Sequence, residues 1–141
     1  MKMTVIAALS VPLVAAPAMA LERINDSEYV LGKSRGHAQK LCREADGTWM
    51  EGSCLFPESD SGVMLEYRKG RVVAHSLMKQ GVRFGYTLLD GIRRQAGEPD
   101  LEASADGCDL YGWDNVQGLS FVIMICAEMD NSGVTARKAT P

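Results

Sequence analysis

Aromatic side chains are scarce in this sequence, three Phe, four Tyr and two Trp, and histidine is scarcer, with only His37 and His75. A catalytic centre built on imidazole therefore has two residues to draw on. The cysteines, Cys42, Cys54, Cys108 and Cys126, never stand two to four residues apart. That removes both the paired-thiolate spacing of a zinc site and the C-x-x-C of a dithiol oxidoreductase. Also missing are G-x-S-x-G, H-E-x-x-H, a phosphate-cradling Gly-rich loop and a dinucleotide fingerprint. There is no excess of positive charge, with 15 Lys and Arg against 18 Asp and Glu, so a nucleic-acid partner is not expected. Nor is there an apolar run of the roughly 20 residues that a spanning helix needs.

What the chain does have begins at its N-terminus. Lys2 precedes an apolar stretch from Val5 to Pro17, which closes Ala18-Met19-Ala20. A positive start, a short apolar middle and an Ala-x-Ala end are the parts of a secretory signal peptide, with cleavage expected after Ala20. Residues 21–33 read as an N-terminal arm and 34–141 as a single domain. Loss of Lys2 would leave 14 bases against 18 acids, a net charge of −4. An even cysteine count in an exported chain predicts disulfides, and the product is expected in the periplasm or the medium.

The stretch Leu119-Ser-Phe-Val-Ile-Met-Ile-Cys-Ala127 organises the rest. It is short, apolar, rich in β-branched residues and followed by Asp130-Asn-Ser-Gly133, the pattern of a strand buried on both faces. Ala38, Leu41, Cys42 and Ala45 fall on one helical face, with Ser34 as N-cap and Gly47 as the left-handed stop. Thr48 to Phe56 reads as one strand, which brings Cys54 back beside Cys42. Val63–Tyr67 and Val72–Ser76 flank Lys69-Gly70, a two-residue hairpin turn. In the simple register Tyr67 opposes Val72 and Leu65 opposes Ala74. Val63, Leu65, Tyr67, Val72 and Ala74 then face the core, and Glu66, Arg68, Arg71 and His75 face outward.

A second helix is expected from Thr87, with Asp90 completing an approximate capping box and Gly97 and Pro99 closing it. Glu98, Asp100 and Glu102 read as a solvated link. Gly107–Trp113 and Leu119–Met129 make a further antiparallel pair, with Val134–Arg137 as a last strand. Cys108 and Cys126 are equidistant from Gln117, so a hairpin turning there sets them opposite each other. The pairing expected is Cys42–Cys54 and Cys108–Cys126. The fold class is α+β, an antiparallel sheet with two short helices on one face, and the two halves echo each other as a candidate duplicated helix-plus-strands unit.

The segment Gly85-Tyr-Thr-Leu-Leu-Asp-Gly-Ile-Arg-Arg-Gln-Ala-Gly-Glu-Pro-Asp100 resembles small envelope modules of the SmpA/BamE outer-membrane assembly type and the related β-lactamase inhibitor proteins. These share a Gly-x-Thr start, a short helix and a Gly-x-Pro stop. The likeness covers about sixteen residues, and the chain departs from it in lacking a lipobox cysteine and in its two expected disulfides. It implies an exported protein-binding module rather than an enzyme.

Chemistry-bearing candidates are few. His75 can neighbour Glu66 across the hairpin as an acid–base pair, and Ser76-Leu-Met-Lys79 matches Ser-x-x-Lys only by letters. Charge is segregated: seven bases and two acids lie between Glu66 and Arg94, and eight acids with no base between Glu98 and Asp130. The expected function is binding of another envelope or secreted protein, as adaptor or inhibitor, without metal or cofactor. The expected contact surface comprises Glu66, Arg68, Arg71, His75, Tyr86, Tyr111 and Trp113, residue types that anchor interfaces. The alternatives are a small-ligand carrier with an apolar, methionine-rich pocket, and a small hydrolase using His37 or His75.

Overall fold

The computed structural model describes residues 30–56 and 61–140. The leader expected over 1–20 and most of the 21–33 arm lie outside the described residues. Helix α1 (Arg35–Glu44) leads into strands β1 (Thr48–Met50), β2 (Ser53–Phe56), β3 (Ser61–Arg68) and β4 (Arg71–Gln80). Helix α2 (Arg83–Ala96) leads into β5 (Leu101–Ala105), β6 (Cys108–Val116), β7 (Leu119–Cys126) and β8 (Asn131–Lys138). The eight strands form one antiparallel sheet in the order β1-β2-β3-β4-β8-β7-β6-β5. Helix-then-four-strands occurs twice, and the two meanders meet at the β4–β8 ladder.

Local chemistry explains most of these elements. Four hairpins turn on an X-Gly pair with both residues at positive φ: Glu51-Gly52, Lys69-Gly70, Asp106-Gly107 and Gln117-Gly118. This is the backbone that type I′ turns require, and it matches the right-handed twist of the strands. Glu51-Gly52 divides the single strand expected over 48–56 into β1 and β2. Asp106-Gly107 makes β5 a strand where a solvated link was expected; as an exposed edge it needs no apolar side chains.

Helix α1 has Ser34 as N-cap, its hydroxyl accepting from the His37 amide at 3.2 Å. It ends in a Schellman motif: Gly47 N–H donates to the Cys42 carbonyl (2.9 Å) and Asp46 N–H to that of Arg43 (3.1 Å). The left-handed residue is Asp46 (φ 59°) rather than Gly47. Gly47 is needed for space, since a β-carbon there would lie 2.9 Å from the Cys42 sulfur and from the Phe56 ring.

Helix α2 starts four residues before Thr87 and has no side-chain cap of its own. Its cap comes from another element. The Ser132 hydroxyl, wholly buried on β8, accepts from Gly85 N–H (2.9 Å) and donates to the Gly81 carbonyl (2.8 Å). A β-carbon on Gly85 would stand 2.7 Å from that of Ser132, so the approach depends on glycine.

Both helices lie on one side of the sheet. The register places Trp49, Cys54, Val63, Leu77, Val134, Ile123 and Tyr111 in one transverse row on that side. Leu88, Leu89 and Ile92 of α2 pack with Leu119, Phe121, Ile123, Ile125, Val134 and Ala136 in the core that also takes Ala38 of α1. Both expected disulfides are present. Cys42–Cys54 joins α1 to β2, and Cys108–Cys126 joins facing positions of β6 and β7 with Cα atoms 4.1 Å apart. All four cysteines of the chain are thereby oxidised.

Two expectations about faces fail. Val73 is an extra residue in β4, so that Tyr67 pairs with Val72 while Leu65 pairs with His75 and Glu66 with Ala74. A one-residue bulge sends every later side chain to the opposite face. Ala74 therefore turns away from the helices and His75 turns toward them. The run Leu119–Cys126, expected to be buried on both faces, is covered by α2 on one side only, and Ser120, Val122 and Met124 on the other are half-buried.

Candidate functional site

The side of the sheet opposite the helices has its own order. Across its centre runs a row of Gly62, Met78, Gly133, Met124, Leu110 and Ala103; beside it runs a row of Met64, Ser76, Thr135, Val122, Gly112 and Leu101. Larger side chains lie down over the glycines. Leu55 covers Gly62, Leu101 and Val122 cover Gly112, and the Met78 thioether occupies the place a β-carbon on Gly133 would take. The result is a mostly apolar layer, interrupted by the Ser76 and Thr135 hydroxyls, which hydrogen-bond to each other at 2.8 Å. No described element covers it.

Toward one end the layer gives way to charge. Glu66 on β3 accepts from Arg137 on β8 at 2.7 Å, bridging over Ala74, which is only 3% exposed. Arg68 and Arg71 lie beyond and make no ion pair among the described residues. At the other end is a groove of about 560 Å³, walled by Leu55, Met64, Met78 and Met129, with Gln80 and Asn131 at its polar edge. The Asn131 side-chain carbonyl oxygen is buried and has no hydrogen-bond partner among the described residues.

Among the described residues methionine is confined to this side. The chain has eight, and the five within the described residues, Met50, Met64, Met78, Met124 and Met129, all lie on the helix-free face or wall its groove. Met50 (56%), Met64 (58%), Leu101 (51%) and Met129 (59%) are four of the five most exposed large apolar side chains. Thioether side chains are unbranched and polarisable, so a surface of them can adapt to varied apolar shapes.

The seven residues expected to form one contact surface are distributed over three places. Glu66, Arg68 and Arg71 do share the helix-free face. Tyr86 and Tyr111 lie on the helix side, Tyr86 exposed on α2 and Tyr111 with the Arg93 guanidinium 5.6 Å from its ring centre. Burial raises the Tyr111 phenol above its ordinary pKa. Trp113 is core: it is 3% exposed, stacks on Phe121 at 5.2 Å and donates to the Gly97 carbonyl at 3.2 Å. Its size and its ring N–H fix the C-terminal end of α2.

His75 is half-buried on the helix side of the sheet. It borders a second cavity of about 270 Å³ between α1 and the sheet, with Ala38, Leu41, Val63, Leu65 and the Cys42–Cys54 bridge around it. Burial holds its imidazole neutral, with the pKa lowered to about 4. The bulge puts it and Glu66 on opposite faces, so the expected acid–base pair does not form. His37 is exposed on α1. Among the described residues no three His, Cys, Asp or Glu side chains converge as metal ligands.

The charge segregation is partly undone by contact. Arg93 of the basic segment pairs with Glu98 at 3.1 Å and Glu102 at 3.3 Å of the acidic one. No described helix is long and apolar enough to cross a membrane. Sequence reasoning placed the methionines in an interior pocket and missed that those described lie on the helix-free face; it missed Asn131 altogether. The methionines' signal was the alternation itself, since Met64, Met78 and Met124 occupy the parity opposite to the core in three strands. Comparison with protein-family models, with curated proteins and with solved structures finds no match to this chain.

Proposed function

We propose that this chain is a non-enzymatic binding module, exported to an oxidising compartment, that docks its helix-free sheet face onto another envelope or secreted protein. The observation that carries the reading is the gathering of all five described methionines on a face that nothing described covers. An exposed, contiguous apolar surface of this kind marks an interaction site. One further feature specifies the partner: Arg68 and Arg71 at one end suit acidic side chains. The occupant is then a protein loop with an apolar tip and acidic residues on the flank that meets the arginines. Two disulfides fit an oxidising compartment, and the resemblance of Gly85–Asp100 to small envelope modules points to the same class.

A photo-crosslinker at position 64 should capture one defined protein in cells, whereas one at the α2 surface residue Gln95 should not. With that partner purified, Arg68→Ala together with Arg71→Ala should weaken binding by at least about tenfold and leave the melting temperature unchanged. Equal capture from both positions, or an unaltered affinity, would remove the helix-free face as the site.

The cavity beneath α1 favours a second reading, a carrier of a small apolar ligand. Native mass spectrometry of the protein from its source decides it: a retained small molecule that Leu65→Trp expels would establish the carrier.

A further inference from the structure

The groove at the Met78 end holds a donor set that protein docking alone does not need. We propose that Met64, Met78 and Met129 form a thioether site for a soft monovalent d10 cation, Cu(I), with Ag(I) as its redox-inert equivalent. The three side chains wall one groove. Met78 faces Gly62 and Met64 faces Ser76, so the two methionines are diagonal neighbours on one face of adjacent strands. Such neighbours have α-carbons about 7–8 Å apart, within reach of long side chains. The Met78 thioether rests over Gly133 on the β8 side of its strand, and to meet Met64 on β3 it swings across β4, a rotation that an unbranched side chain permits. Met129 enters from the turn between β7 and β8, where Asp130 borders the same groove. Lys79 is the cation at the rim, and its ammonium lies 5.2 Å from the Phe84 ring centre.

Selectivity follows from what the donors are. Thioethers are soft ligands that select Cu(I), whereas Zn²⁺ and Cu(II) prefer imidazole, thiolate and carboxylate sets. No thiolate competes, because the four cysteines are consumed in two disulfides, and the other described thioethers, Met50 and Met124, do not line this groove. His75 lies on the opposite side of the sheet and His37 on α1. This site does not depend on a protein partner docking to the face.

The test is a titration of the oxidised full chain with Ag⁺, followed by calorimetry and by the methyl resonances of ¹³C-labelled methionine. One cation should bind per chain, moving the signals of Met64, Met78 and Met129 and leaving Met50 and Met124 in place. Cu(I) presented as a bicinchoninate complex should compete, and Zn²⁺ should not. Met78→Leu keeps the apolar volume and should weaken Ag⁺ binding at least tenfold. Met64→Leu, at an exposed position, should do the same should the Met78 variant fold poorly. Absence of saturable binding, shifts spread evenly over all five methionines, or full affinity in both leucine variants would overturn the site.

Discussion

Helix α1 buries two side chains, Ala38 and Cys42, whereas α2 buries Leu88, Leu89 and Ile92 together with Gly85 and Gly91. A fully buried Leu or Ile contributes about 1.5–3 kcal/mol, so α2 is held by packing and α1 is not. The first half makes up the difference covalently, with Cys42–Cys54 fastening α1 to β2. The second half has no helix-to-strand bridge; its disulfide joins two strands. The caps differ in the same sense. Helix α1 carries its own in Ser34, and α2 borrows one from Ser132 on β8. Two halves with one order of elements thus reach stability by different means, and the half with the thinner interlayer also keeps a cavity and a half-buried histidine.

The sharpest way to break this contrast is to remove the covalent link. Cys42→Ala with Cys54→Ala should cost about 3 kcal/mol from the loop entropy returned to the unfolded chain. Amide exchange should quicken throughout α1 while α2 stays protected. Equal loss of protection in both helices would show that the halves do not differ as described.

Next in size is a pH effect confined to the first half. The His75 pKa falls from its ordinary value of 6.5 to about 4 in the folded state, because burial opposes the charged form. Between those values the unfolded chain binds the proton that the folded chain refuses. Stability is therefore complete above pH 6.5 and declines as pH falls toward 4, by about 2 kcal/mol at pH 5. Urea titrations at pH 7 and pH 5 read the difference, and His75→Gln should remove most of it. An unchanged pH slope in that variant would place the titrating group elsewhere.

The smallest effect belongs to the second half. Ser132→Ala leaves the Gly85 amide and the Gly81 carbonyl without their partner and should cost about 1–2 kcal/mol. The loss should appear as faster exchange in the first turn of α2, with α1 untouched.

Much of the fold was legible because it is local. Ser34, the Gly97 stop, the Lys69-Gly70 turn and the equal spacing of Cys108 and Cys126 from Gln117 each act over a few residues. Three things were not. The bulge at Val73 leaves no mark in composition, yet it alone exchanges the faces of Ala74 and His75. The start of α2 depends on a serine 47 residues away. Trp113 carries the residue type of an interface anchor, and only the packing of Phe121 and the Gly97 carbonyl shows that it belongs inside. Of the candidate site, the Glu66, Arg68 and Arg71 end was readable from the hairpin. The methionine end was not, because apolar residues at both parities of a strand look like core until one side is found uncovered.

The strand order has a consequence for how the chain comes together. β8 (Asn131–Lys138) is the last of the described strands in sequence, yet it occupies the middle of the sheet, between β4 and β7. Neither four-stranded meander can complete its hydrogen bonding until that segment arrives, and α2 lacks the hydroxyl that caps it until then. Assembly is thus a closing of two flaps onto a late-arriving spine, and a chain cut at Asp130 would be left with two open edges where the finished molecule has a seam.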